Sequence, residues 1–294
     1  MINKTINRVA IVGGTHGNEL TGVYLVKKFK QSPHLIQRST FETVTLLANP
    51  KAVKVGNRYI DMDLNRCFKP QDLQNPMLGS VEQRRAKEIA KQIQEWKVDV
   101  LIDIHSSTAN MGLTLILFNE HPFLWRLAAY LSAINPAVKI LQNKQSAQDS
   151  PYLRSLCELG FTLEVGSISQ GVLNAELFQQ TEDIITLILD YIEQSNQGKI
   201  LPIPSTITVY QYSGSIDYPR NDDGEIQAMI HPQLQFKDYE ALNPGEPIFL
   251  SFDGSVHSYQ GESVTYPVFI NEAAYYEKGI AMYLTTKETV ILDL

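Results

Sequence analysis

Over the first two thirds of the chain, short apolar runs alternate with stretches of helical period. Arg8–Val12 reads as a buried strand, and residues 19–30 as a helix with Leu20, Val23, Tyr24 and Val26 on or near one face. Residues 43–48 form a second strand that ends at Asn49-Pro50. Ser80-Val81-Glu82-Gln83 has the spacing of a capping box and opens a helix running to about Lys97. Residues 98–104 are almost continuously apolar, as expected of a central parallel strand covered on both faces. Residues 113–118, a helix after Pro122, a short strand near Val138, residues 161–165 and a long helix over 175–194 continue the alternation. The pattern predicts an α/β fold with a mostly parallel or mixed sheet.

The pattern changes at Asn196-Gln197-Gly198. Beyond it the segments are short, β-branched and separated by turn clusters such as Asn221-Asp222-Asp223-Gly224, Asn243-Pro244-Gly245 and Asp253-Gly254. Residues 1–199 are therefore expected to form the larger domain and 200–294 a smaller β-rich one. A chain of 294 residues has ample length for both.

Composition narrows the function classes. The formal charge of −7 argues against nonspecific nucleic-acid binding, which needs basic surface. No apolar run approaches the ~20 residues that span a bilayer, and the first residues lack the apolar core of a secretory signal. A cytoplasmic protein with neither membrane nor nucleic-acid partner is expected. Cys67 and Cys157 are too few for a disulfide framework and suit a reducing compartment. Cys67 is read as a buried thiol, with a metal-ligand role as the alternative.

The candidate chemistry gathers at strand ends. His16 and Glu19, in Gly13-Gly14-Thr15-His16-Gly17-Asn18-Glu19, follow the first strand, and His105 closes the strand over 98–104. In open α/β sheets ligands bind beyond the carboxyl ends of strands, so these three side chains can converge. Two imidazoles and a carboxylate would leave a tetrahedral zinc one open position, the arrangement of a catalytic site. Taken alone, His16 and Glu19 could equally mark a helix N-terminus. Asp103 shares a sheet face with His105 and reads either as the acceptor that orients its imidazole or as an ordinary buried acceptor. Glu164 is an acid inside an apolar strand: burying it unpaired costs several kcal/mol, so it is either an ion-pair partner or a general base with a raised pKa. Arg58, Asn65 and Arg66 concentrate polar groups in one ten-residue segment with Asp61 and Asp63, which suggests an anionic substrate, with an Asp61/Asp63 magnesium site as the competing idea. Arg154, ten residues before Glu164, is a further candidate anion contact.

With these residues assembled, the chain resembles the aspartoacylases, a branch of the zinc carboxypeptidase-like superfamily. The matching stretches are GGTHGNELTGV (13–23), NRYIDMDLNRCF (57–68), DIHSSTANMG (103–112), LEVG (163–166), DYPR (217–220) and VFINEAAYYEK (268–278). The resemblance implies a mixed sheet flanked by helices, with a smaller β-rich C-terminal domain closing the site, and one zinc per subunit on His16, Glu19 and His105. It implies Glu164 as general acid/base and Arg58 as the residue that polarises the scissile carbonyl. Asn65 and Arg66 would hold the α-carboxylate, Arg154 the side-chain carboxylate, and Tyr275 would reach in from the C-terminal domain. Well-known members of the family carry a tyrosine four residues before the Arg154 position. Here that position is Ser150, with Tyr152 close by in sequence.

The expected activity is zinc-dependent hydrolysis of N-acetyl-L-aspartate to acetate and L-aspartate. The partner is a small N-acyl amino acid, and a homodimer is the one protein assembly left open. The alternatives are an aminoacylase for aromatic or neutral N-acyl amino acids, a succinyl-amino-acid deacylase, and a non-catalytic zinc-stabilised binding module.

Overall fold

The computed structural model describes residues 5–143, 150–199 and 201–292; Ile200, where the second domain is expected to begin, lies outside them. Eleven strands and six α-helices follow in the order β1 (Arg8–Gly13), α1 (Leu20–Gln31), β2 (Glu42–Leu47), α2 (Pro50–Val55), α3 (Pro70–Gln74), α4 (Val81–Trp96), β3 (Val100–Ser106), β4 (Gly112–Leu117), α5 (Pro122–Ile134), β5 (Val138–Gln142), β6 (Leu159–Gly166), α6 (Ala175–Asn196), β7 (Thr206–Ile216), β8 (Ala228–Ile230), β9 (Pro247–Ser251), β10 (Val256–Ser258) and β11 (Met282–Ile291). Eight strands make one mixed sheet in the order β11-β7-β5-β4-β6-β3-β1-β2, and β10-β9-β8 form a small separate sheet. Strand β4 is antiparallel to β6, and β11 to β7; the other pairs of the large sheet are parallel.

The two faces of the large sheet differ. Alternate residues of β1, β3, β4 and β6, such as Ile11, Ile102, Leu115 and Leu163, pack with α1, α5 and α6 into one continuous apolar core. On the opposite face Ala10, Val12 and Leu101 pack under α4 through Ala86, Ile89 and Ile93. Farther along that same face, Ile116, Leu141 and Tyr210 pack against Tyr239, Val268 and Phe269 of the C-terminal part. Between these two apolar patches the residues that alternation turns the same way are polar: Asp103, His105, Thr162 and Glu164. The gap between the patches becomes the cleft.

Two long strands from beyond residue 200, β7 and β11, add to the large sheet rather than to a sheet of their own, and both parts of the chain thereby share one scaffold. Alternating polarity identifies β7 and β11 as half-buried strands but carries no information on which sheet receives them. None of the described helices is long and apolar enough to cross a membrane.

Helix α4 shows how local chemistry sets a boundary. Ser80 Oγ accepts the Gln83 backbone N–H at 3.1 Å and Gln83 Oε1 accepts that of Ser80 at 3.0 Å, closing the capping box. Two otherwise orphaned donors are thereby satisfied at a helix that covers one face of the sheet. Ser80→Ala is expected to lower the unfolding free energy by about 1 kcal/mol, read from the midpoint of urea denaturation at unchanged slope.

Candidate metal centre and active-site cleft

His16, Glu19 and His105 are brought together by the ends of β1 and β3. The loop after β1 is compact because Gly14 takes φ +68° and because Gly17 packs on α2, where a Cβ would stand 2.2 Å from the Ala52 carbonyl carbon. The Gly17 N–H donates to the Arg58 carbonyl at 3.1 Å, so this loop also fixes the segment carrying Arg58. Glu19 occupies the N-cap position of α1 without capping it. Its carboxylate points into the cleft, where Oε1 lies 2.6 Å from His16 Nδ1 and Oε2 lies 2.9 Å from His105 Nδ1. The two Nδ1 atoms are 3.1 Å apart, and all three side chains are buried.

The outer nitrogens of the imidazoles are also engaged. His16 Nε2 meets Asp63 Oδ1 at 2.9 Å, and His105 Nε2 meets Asp103 Oδ2 at 2.8 Å. Asp103 is itself held by the Thr15 hydroxyl, which donates to Oδ1 at 2.7 Å. In the tautomer whose Nε2–H groups donate to Asp63 and Asp103, the Nδ1 lone pairs of both imidazoles face the Glu19 oxygens. Such a set of buried acceptors fits a divalent cation, and two imidazoles with one carboxylate suit zinc. Among the described residues this is the one group of three or more His, Cys, Asp or Glu whose donor atoms converge in this way.

Asp61 and Asp63 do not form a joint site. Asp61 accepts the Val81 N–H at 2.7 Å at the start of α4, while Asp63 is bound to His16, to Arg58 and to Lys278 Nζ at 3.1 Å. Cys67 is buried, its Sγ donates to the Asp63 carbonyl at 3.5 Å, and burial pushes the thiol up to about 12; its sulfur is not among the donor atoms that converge with His16, Glu19 and His105. His121 accepts the Phe123 N–H at the start of α5, and His257 pairs with Ser251, both outside the cleft lining.

A cleft of about 760 Å³ out to its mouth adjoins the triad and is lined by the residues to which the resemblance gives a catalytic or substrate-binding role: Arg58, Asn65, Arg66, Arg154, Glu164 and Tyr275. Glu164 stands beside His105 in the β3–β6 register, and its carboxylate takes no hydrogen bond from any described residue. Burial pushes its pKa well above the ordinary carboxylate value. Glu19 is equally enclosed, but there the imidazoles of His16 and His105 overcome burial and hold it well below. Two neighbouring carboxyl groups are thus driven apart, one toward permanent charge and one toward proton exchange.

The guanidiniums differ in what they already hold. Arg58 donates to Glu19 Oε1 at 2.9 Å and to Asp63 Oδ2 at 3.4 Å, leaving its buried Nε–H without an acceptor. Arg154 is 5% exposed and, among the described residues, donates only to Thr162 Oγ1 at 3.3 Å, with Nε also unpartnered there. No described carboxylate forms an ion pair with Arg66 or Arg154.

Three cleft features were not evident from the sequence. Asp63 orients His16 across 47 positions. Glu272 takes hydrogen bonds from the Ser107 and Thr108 hydroxyls and the Thr108 N–H, and so ties the segment bearing Tyr275 to the loop that follows His105. Phe269, at positive φ, packs on Tyr275 in the cleft wall. The only signal for any of these is the acid itself in Asp61-Met62-Asp63 and Asn271-Glu272, and an acid in a loop does not announce a partner 165 positions away.

Residues 5–192 match the succinylglutamate desuccinylase/aspartoacylase catalytic domain, and residues 205–287 the barrel-sandwich hybrid domain of the same family. The chain belongs to this family. It is 58% identical to a probable aspartoacylase from Nostoc sp., covering 98% of this chain and 99% of the relative. It is 41% identical to an N-acyl-aromatic-L-amino acid amidohydrolase (carboxylate-forming) from Rattus norvegicus, covering 97% and 92%. The crystal structure of murine aminoacylase 3 superposes with a TM-score of 0.95 at 39% identity, covering 99% of this chain and 98% of that one. The family membership and the mixed sheet with its β-rich C-terminal part agree with the reading of the sequence, and the chain is a hydrolase of N-acyl amino acids.

The outer hydrogen bonds to the imidazoles give a direct prediction. Asp103→Asn is expected to weaken zinc binding about 10–100-fold, measured by competition with a chromogenic chelator. Unchanged affinity would remove Asp103 from the support of the metal site.

Proposed function

We propose that the protein is a zinc-dependent aspartoacylase that hydrolyses N-acetyl-L-aspartate to acetate and L-aspartate. Arg154 carries this reading: a guanidinium 5% exposed, lining the cleft, with no carboxylate partner among the described residues. Leaving a buried charge uncompensated costs several kcal/mol, so the side chain is suited to an anion brought by the substrate. Arg66 and Asn65, on the same wall, suit a second carboxylate.

His16, Glu19 and His105 would hold the zinc, which when bound supplies Lewis acidity and lowers the pKa of a water. Glu164, with its raised pKa and free carboxylate, takes the proton of the attacking water and returns it to the departing amine nitrogen. Arg58 offers its unpartnered Nε–H, and donors released from Glu19 or Asp63, to the oxygen that gains charge as the carbonyl carbon becomes tetrahedral. Tyr275, on the C-terminal segment, limits the space beside the acyl group.

A second reading, hydrolysis of N-acyl aromatic amino acids, has its own support. Tyr152, Tyr212, Phe269, Tyr275 and Tyr283 line the same cleft, and the rat relative is named for that substrate class. The two readings separate on a panel of N-acetyl-aspartate, N-acetyl-tyrosine and N-succinyl-aspartate assayed with zinc-loaded enzyme, before and after chelation. The aspartoacylase reading expects the highest kcat/KM on N-acetyl-aspartate, with activity lost on chelation and restored by zinc. A preference for N-acetyl-tyrosine would replace it.

Two variants test the roles. Glu164→Gln is expected to lower kcat by at least about 100-fold at unchanged zinc content, measured by steady-state kinetics and atomic absorption. Arg154→Ala is expected to cost N-acetyl-aspartate at least about tenfold more in kcat/KM than N-acetyl-alanine; equal losses would take Arg154 out of specificity.

A further inference from the structure

Ser150 and Tyr152 part ways in the fold. Ser150 is fully buried and lies outside the cleft lining, whereas the half-buried Tyr152 lines it. The backbone fixes this choice on both sides of Tyr152. The Pro151 carbonyl accepts the Phe68 N–H at 3.1 Å, and the Leu153 N–H donates to Asn65 Oδ1 at 2.8 Å. Tyr152 is thereby laced to the short turn that carries Arg66, and it immediately precedes the 3₁₀ turn Leu153–Leu156 that carries Arg154.

The Tyr152 ring touches both cations. The guanidinium carbon of Arg154 stands 4.1 Å from the ring centroid and that of Arg66 stands 4.8 Å from it. Two like charges near one another repel, and no described carboxylate pairs with either. A π-face attracts each cation by about 0.5–2 kcal/mol, depending on how far it is desolvated. Contact through a guanidinium face leaves the in-plane N–H fork available to a carboxylate.

We propose that Tyr152 is a specificity-determining residue: its ring gathers Arg66 and Arg154 into a paired anion site that selects substrates bearing two carboxylates. This rests on the reading above that Arg66 and Arg154 bind the carboxylates of an acidic N-acyl amino acid. Tyr152 is a positioning residue for the guanidiniums, and the ring face, not the hydroxyl, is the active feature.

The test uses zinc-loaded enzyme with N-acetyl-aspartate and N-acetyl-asparagine, which keeps the α-carboxylate but has an isosteric neutral side chain, together with calorimetric binding of succinate, which needs no turnover. Tyr152→Leu is expected to lower the aspartate-to-asparagine ratio of kcat/KM by about tenfold, mainly through KM, and to weaken succinate binding about tenfold. Tyr152→Phe, which keeps the ring, is expected to keep both within about threefold. An unchanged ratio and unchanged succinate affinity in Tyr152→Leu would overturn the proposal, as would a loss in Tyr152→Phe equal to that in Tyr152→Leu. Zinc content and thermal melting identify a misfolded variant, and Tyr152→Met then carries the same comparison. If the wild type itself shows no preference for N-acetyl-aspartate, the dicarboxylate substrate falls, and succinate binding still decides whether Tyr152 organises the two guanidiniums.

Discussion

The whole structure is organised around burying ionisable groups that cannot be left alone. Glu19, His16, His105, Asp63 and Asp103 are all at most 8% exposed, and they form one connected set with Arg58 and Lys278 at its edge. Each of these groups would cost several kcal/mol if buried unpaired. The backbone around them is correspondingly over-determined. Buried Glu82 accepts the N–H groups of Ile60, Asp61 and Met62 and so fixes the segment between Arg58 and Asp63. A network of this kind keeps its geometry only while all its members are in place.

The sheet makes that burial possible by being unequal on its two faces. One face is apolar along its length and takes three helices. The other is interrupted, apolar under α4, polar at Asp103, His105, Thr162 and Glu164, then apolar again under the C-terminal part. The interruption falls where β3 and β6 run side by side, so the His105–Glu164 spacing is set by strand register, among the stiffest relationships a protein offers. The C-terminal part then completes the wall. Glu272 is bound to Ser107 and Thr108, and the segment it anchors brings Tyr275 to the cleft and Lys278 to Asp63.

Legibility of the sequence follows the same division. Strands β1, β3 and β6 stand out because they are buried on both faces, and His105 and Glu164 stand out because a polar residue in such a strand needs a reason. The capping box at Ser80 was equally plain, being a local interaction over four residues. The joining of β7 and β11 to the large sheet was not legible, since polarity alternation reports burial of a face and not the identity of the neighbour. Nor was the function of Glu272 or Asp63, whose partners are distant in sequence and whose loops carry no period. Arg58, Arg66 and Arg154 were visible as cations, but that Arg58 is already paired while the other two have no carboxylate partner among the described residues is a fact of three dimensions.

This division bears on why one scaffold serves several N-acyl amino acids. His105 and Glu164 lie within strands, and His16 and Glu19 in a loop tightened by glycine at positions 14 and 17, so they have little freedom to move relative to one another. The cleft residues proposed to contact the remainder of the substrate lie on short turns, with Arg66 on Leu64–Arg66, Arg154 on Leu153–Leu156 and Tyr275 on Ala273–Lys278. Turns of this kind vary more readily than the strands they connect. Position 150 illustrates it, since a fully buried serine there leaves the cleft wall to a tyrosine two residues later. Chemistry that must occur at one carbonyl is therefore held by register, and recognition that must differ between substrates is held by turns.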